Sequence, residues 1–115
     1  FKIFLTHLDS NKYYTDFDLN GSVNYALILI LRNKDANLFE RVCNVLRVAN
    51  VEFRRGTAGG GNEARQPFIQ KVCPGLNPAQ FVNAEHIHEY GLYIGNYPDL
   101  LEEKIIDLCT LLNGL

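Results

Sequence analysis

The stretch SVNYALILILR, residues 22–32, decides the fold. Residues 25–31 are seven apolar residues in a row, which is strand length. An unbroken apolar run of that length implies burial on both faces and a central position in a sheet. Residues 33–35 read as a turn, and LFERVCNVLRVA, residues 38–49, follows with helical spacing. Leu38, Val42, Val45 and Ala49 form one apolar line, flanked by Phe39, Cys43 and Leu46. Asn37 with Glu40 three residues on predicts a capping box, and Asn50 predicts the stop. VEFRR, residues 51–55, alternates apolar and polar as a half-buried strand does.

Downstream, residues 56–82 show little periodicity, and loops that long in a small domain are usually functional or disordered. AEHIHEY, residues 84–90, reads as a short helix capped by Asn83 and stopped by Gly91, followed by a strand over residues 92–95. Residues 98–113 carry the clearest helical line, Leu101, Ile105, Leu108 and Leu112. Pro98 suits its first position and Gly114 its end. Upstream, residues 1–20 read as an irregular lead-in or linker, with FKIFL either a short strand or the end of a helix.

This order predicts a two-layer α+β sandwich: a small, mainly antiparallel or mixed sheet of three or four strands, covered on one face by two main helices. The apolar first strand implies that its other face is covered too, by a domain outside this chain.

Composition narrows the function. The chain has 115 residues, 47% hydrophobic and 21% charged, with a net charge of −2. That fits one domain of about 21–115 after the lead-in, and it lacks the basic excess of a general nucleic-acid binder. Cys43, Cys73 and Cys109 show no disulfide pattern, which points to a reducing, cytoplasmic setting. No apolar run reaches the ~20 residues that cross a bilayer, and no signal-type leader is visible. The chain has no methionine and starts at Phe1, so it is expected to be a piece of a longer parent.

The chemistry-bearing segment is RRGTAGGGNEARQP, residues 54–67. Gly56 and Gly61 have P-loop separation, but Asn62 and Glu63 stand where Lys and a hydroxyl belong, and Pro67 argues against a following helix. Residues 59–61 let backbone pass close to a ligand, because glycine has no Cβ to collide. Arg54, Arg55 and Arg65 supply guanidinium forks for phosphate or carboxylate. On a strand Arg54 and Arg55 face opposite ways, and Arg55, which shares a face with Phe53, is the better site candidate. His86 and His88, two apart on a helix, diverge and cannot share a metal; a structural role suits them. Cys43 falls on a core face, and Glu102, Glu103 and Asp107 read as a solvated helix face. These residues hold no complete catalytic set.

VEFRRGTAGGGNEARQPF and NAEHIHEYGLYIGNYPDL together resemble the carboxy-terminal domain of the DegT-type, vitamin-B6-dependent nucleotide-sugar aminotransferase and dehydratase family. The GN-x-x-RQP pattern is most similar to the CDP-4-keto-6-deoxyglucose 3-dehydratase branch of deoxysugar and lipopolysaccharide biosynthesis. The G-x-Y-I-G-N-x-P-x-L pattern of residues 91–100 resembles the family's last strand and helix. The likeness spans roughly residues 22–115, but residues 24–28 depart from the aromatic-rich strand start common in the family.

The resemblance implies the small domain of a fold-type-I enzyme. A separate amino-terminal domain would hold pyridoxal or pyridoxamine phosphate and a catalytic Lys (aminotransferase) or His (dehydratase). It also implies a homodimeric parent, no cofactor bound and no catalytic residue within this chain, and no nucleic-acid or membrane partner. Arg55, Gly61, Asn62, Arg65 and Gln66 would face a nucleotide-sugar substrate. Two other readings stand beside it: a free-standing α+β module that binds an anion or nucleotide, and an architectural domain with an inert loop.

Overall fold

Residues 26–30 form a buried strand, but it stands at the edge of the sheet and not at its centre, and Tyr25, the first residue of the apolar run, is 75% exposed; burial on both faces comes from packing above and below the strand and not from a neighbour on each side. The structure, a computed structural model, describes residues 1–59 and 61–115. Strand β1 (Ala26–Ile30) sends Leu27 and Leu29 to one face and Ala26 and Ile30 to the other, and all four are buried. β2 is Phe53–Arg55 and β3 is Gly91–Gly95. β3 pairs antiparallel with both, giving the order β1-β3-β2. Register places Leu27, Ile94 and Phe53 in one row, and Leu29, Leu92 and Arg55 in another on the same face. Ile28, Tyr93 and Arg54 form a row on the opposite face.

Helices α2 (Ala36–Val48) and α5 (Glu102–Asn113) cover the Leu27 face, as expected. Leu38, Phe39, Val42, Cys43 and Leu46 of α2 meet Ile105, Leu108, Cys109 and Leu112 of α5 in one core with the strand leucines. Burying a leucine of this kind is worth about 1.5–3 kcal/mol.

Residues 1–20 differ from the irregular lead-in that their pattern suggests. Lys2–His7 is helix α1, and Phe4, Leu8 and Tyr13 belong to the main core. Tyr13 Oη donates to the Leu112 carbonyl at 2.8 Å, and the Asn113 side chain accepts from Asp9 N–H and donates to the His7 carbonyl. The segment is too short for its helical period to stand out, and it gains its order from α5.

Several helix ends shift for local reasons. Asp35, not Asn37, caps α2, its carboxylate accepting from Leu38 N–H at 2.8 Å. The stop at Asn50 holds. Asn50 takes a left-handed φ of 54°, its N–H meets the Arg47 carbonyl, and Val51 N–H meets the Leu46 carbonyl, a Schellman closure. Pro98 lies before α5, in a turn closed by Leu100 N–H to the Tyr97 carbonyl; α5 itself starts at Glu102. Pro67 does not bar a helix but opens one, α3 (Pro67–Val72), since the first helical position needs no N–H. Asn83 lies inside α4 (Val82–Tyr90), whose N-cap position is Phe81. α4 runs directly into β3 at Gly91, where a Cβ would come within 2.5 Å of the Ile87 carbonyl oxygen.

The sheet face opposite the helices is the less covered one. Tyr25 packs edge-on against Tyr93 there and is 75% exposed, while Ile28 and Tyr93 are half-buried.

Candidate functional site

The glycine-rich segment leaves β2 at Gly56, whose φ of +57° turns the chain at a cost only glycine avoids. Residues Gly56–Gly59 and Glu63–Arg65 form 3-10 turns. Gly60 lies outside the described residues. Gly61 N–H donates to the Gly56 carbonyl at 2.9 Å and closes the loop. A Cβ on Gly61 would sit 2.5 Å from His88 Nδ1 and 2.9 Å from the Gly56 oxygen. The close approach that requires glycine here is therefore to α4 of the same chain.

Asn62 is the hub. It is 2% exposed, the one buried polar side chain among the described residues. Its Oδ1 accepts from Ala64 N–H at 3.1 Å and caps the second 3-10 turn. Its Nδ2 donates to the Pro78 carbonyl at 2.9 Å and to Glu85 Oε2 at 2.7 Å. Its own N–H donates to His88 Nδ1 at 3.2 Å. Buried polar groups cost free energy unless paired, and here each atom is paired.

Arg65 reaches back over α4. Its Nε donates to both Glu85 oxygens at 3.1 Å, its Nη2 donates to Glu85 Oε1, and Nη2 lies 3.2 Å from Glu89 Oε1. Glu85 and Glu89 are one turn apart on the same helix face. Hydrogen bonds from Arg65 first, and from Asn62 second, hold the Glu85 carboxyl down at about 2, while the same contact raises Arg65 above its ordinary value.

Of the residues singled out from sequence, Gly61, Asn62 and Arg65 come together on α4. Arg55 does not join them. It lies over the Phe39 ring at 4.6 Å, with Nη1 3.3 Å from Glu40 Oε1 and 3.6 Å from Cys43 Sγ, on the helix-covered face. Gln66 takes part through its backbone, receiving Gln70 N–H and donating to the Glu63 carbonyl, at the N-cap position of α3. Its side chain makes no hydrogen bond among the described residues. Arg54, on the opposite face, pairs with Glu52.

Glu85 and Glu89 escaped the sequence reading. The usable signal was the pair of acidic residues four apart on a helix, near a loop with a lone arginine. The two histidines hold structural positions: His86 Nε2 donates to the Leu31 carbonyl at 2.6 Å, and His88 receives the loop. Burial raises the thiols of Cys43 and Cys109, the latter to about 11, so neither is poised as a nucleophile. A separate open groove of about 810 Å³ lies on the helix side, lined by Leu27, Phe53, Ile94, Tyr97, Ile105 and Leu108; no residue of the glycine loop or α4 lines it.

No family model and no curated protein matches the chain. Among solved structures, a crystal structure of GDP-4-keto-6-deoxymannose-3-dehydratase with a trapped PLP–glutamate geminal diamine matches with a TM-score of 0.54 at 20% sequence identity. The match covers 76% of this chain and 22% of that one, so the chain spans a minor part of that enzyme's length. The three-stranded antiparallel sheet with its helical layer is thus a fold found as a fragment of a PLP-dependent dehydratase.

Proposed function

We propose that this chain is the small domain of a B6-dependent nucleotide-sugar enzyme of the DegT type, a 3-dehydratase or an aminotransferase acting on a 4-keto-6-deoxy sugar. The fold likeness to a PLP-dependent 3-dehydratase carries this reading. The GN-x-x-RQP residues support it, because Asn62 and Arg65 are held on an ordered platform rather than left on a loose tether. The half-covered sheet face and the exposed Phe68, Val72 and Val82 agree with a larger partner domain resting against this one.

Within the loop, Asn62 is fully engaged and Arg65 is already faced by two carboxylates. These residues alone do not fit a pyridoxal phosphate site. The cofactor and its Lys or His belong, in this reading, to the remainder of the parent. This chain's part is to present Arg65, steadied by Asn62, to the diphosphate of the substrate. Arg–phosphate contacts are roughly twice as strong as neutral hydrogen bonds. The parent would be a cytoplasmic homodimer.

The test uses the full-length protein that carries this chain, supplied with B6 cofactor, glutamate and a nucleotide-linked 4-keto-6-deoxy hexose. Mass spectrometry should find a product lacking the C3 hydroxyl, or an amino sugar if the enzyme is an aminotransferase. An Arg65→Ala change should raise KM by about tenfold or more, equivalent to about 1.4 kcal/mol or more. Neither product, or micromolar nucleotide-sugar binding by the 115-residue chain alone, would favour a free-standing anion-binding module instead.

A further inference from the structure

The clamp on Arg65 is asymmetric. Glu85 holds the Nε side of the guanidinium with both carboxylate oxygens. It is itself fixed, because Oε2 also takes the Nδ2 proton of buried Asn62. Glu89 Oε1 lies 3.2 Å from Nη2, and its side chain is 47% exposed. Nη1 donates to nothing among the described residues. A planar fork held along Nε and Nη2 leaves its Nη1–Nη2 edge outward, the edge that grips a phosphoryl group bidentately. Among the described residues Glu89 is the ion-pair partner at that edge, and an exposed ion pair of this kind contributes little.

We propose that Arg65 is a receptor for a phosphoryl anion in which Glu85 is a fixed positioning residue and Glu89 an exchangeable counter-ion that the incoming phosphate replaces at Nη2. The ligand class rests on the substrate-facing role argued above, but the device stands on the clamp geometry. Its signature is a pair of opposite effects. Neutralising either carboxylate removes one negative charge beside the arginine, so simple electrostatics predicts tighter anion binding in both cases. A fixed clamp predicts otherwise for Glu85. In Glu85→Gln one acceptor becomes a donor, and that donor must oppose either Arg65 Nε–H or Asn62 Nδ2–H.

The probe is inorganic pyrophosphate titrated into the 115-residue chain. The readouts are the Arg65 guanidinium and the Asn62 side-chain amide signals by nitrogen-15 NMR. In the wild type, millimolar pyrophosphate shifts the Arg65 Nη signals and leaves the Asn62 amide in place. Glu89→Gln tightens binding by about threefold, and Glu85→Gln weakens it by about tenfold. Glu85→Asp, which keeps both acceptors on a shorter arm, falls between wild type and Glu85→Gln, and it serves if the Gln variant does not fold. Tightening by both neutral variants, weakening by both, or unmoved Arg65 signals would each overturn the proposal. Sugar turnover by the parent without this pyrophosphate pattern leaves the proposed function intact and removes only the clamp. The pattern without turnover does the reverse.

Discussion

Replacing Asn62 with aspartate alters shape hardly at all and hydrogen bonding completely. The Asn62 Nδ2 atom donates over 2.9 Å to the Pro78 carbonyl and over 2.7 Å to Glu85 Oε2. An aspartate oxygen in its place would meet two acceptors, one of them charged. At an effective dielectric of about 20, two unit charges that close repel by roughly 6 kcal/mol, and the Arg65 guanidinium offsets part of this. A net loss of about 3–5 kcal/mol at pH 7 is expected, the cost of leaving a buried charge without its partner.

Acid should relieve it. The new carboxyl has its folded pKa raised, so it binds a proton more tightly folded than unfolded. Its penalty is absent below the unfolded value and grows as pH rises through the folded one. In the wild type Glu85 is held at about 2, by Arg65 first and Asn62 second; the variant loses the Asn62 share and keeps the larger Arg65 share, which still favours the ionised carboxylate. The assays are urea denaturation and exchange of the Ala64 amide, which Asn62 Oδ1 accepts, at both pH values. If the loop opens locally at lower cost than global unfolding, the urea midpoint understates the loss and Ala64 exchange carries it. Wild-type protection of Ala64 at pH 7, or an equal loss at both pH values, would refute the hub role of Asn62.

Gly61→Ala should lower stability by about 1–3 kcal/mol, since its Cβ meets His88 Nδ1 and the Gly56 carbonyl inside van der Waals distance. Adding His88→Ala should recover only part, because the backbone contact remains; thermal melts of both variants check this, and an unshifted Gly61→Ala melt counts against the packing described. Burial, chiefly, pushes Tyr13 from 10.0 up to about 12. Its stabilisation is complete below pH 10 and is lost as pH rises to 12, a fall of about 2–3 kcal/mol. Alkaline denaturation followed by tyrosinate absorbance should show that fall, and Tyr13→Phe should flatten it.

The strands and main helices were legible because burial writes a period into them. β1 is apolar through its whole length, and α2 and α5 repeat apolar residues every three or four positions. Helix starts were less legible: Asp35 and Asn37 are both good caps, and the side chain that reaches Leu38 N–H decides between them. α1 was invisible as core because six residues carry less than two turns of pattern. In the loop, GN-x-x-R pointed to Gly61, Asn62 and Arg65, but their partners on α4 lie 20 or more residues away and are joined only by the fold. Arg55 lies apart from the loop cluster for a physical reason: its aliphatic stem and flat head suit the Phe39 ring, so a strand arginine on the core side packs there.

The lock between the first residues and α5 has a consequence for synthesis. Phe4, Leu8 and Tyr13 are synthesised well before α5, the helix that shelters them. Until roughly a hundred residues have followed, those side chains remain uncovered on the nascent polypeptide, open to chaperones and to premature clumping. Completion of the core is therefore a late event, and slowing translation would prolong the exposure without aiding the final closure.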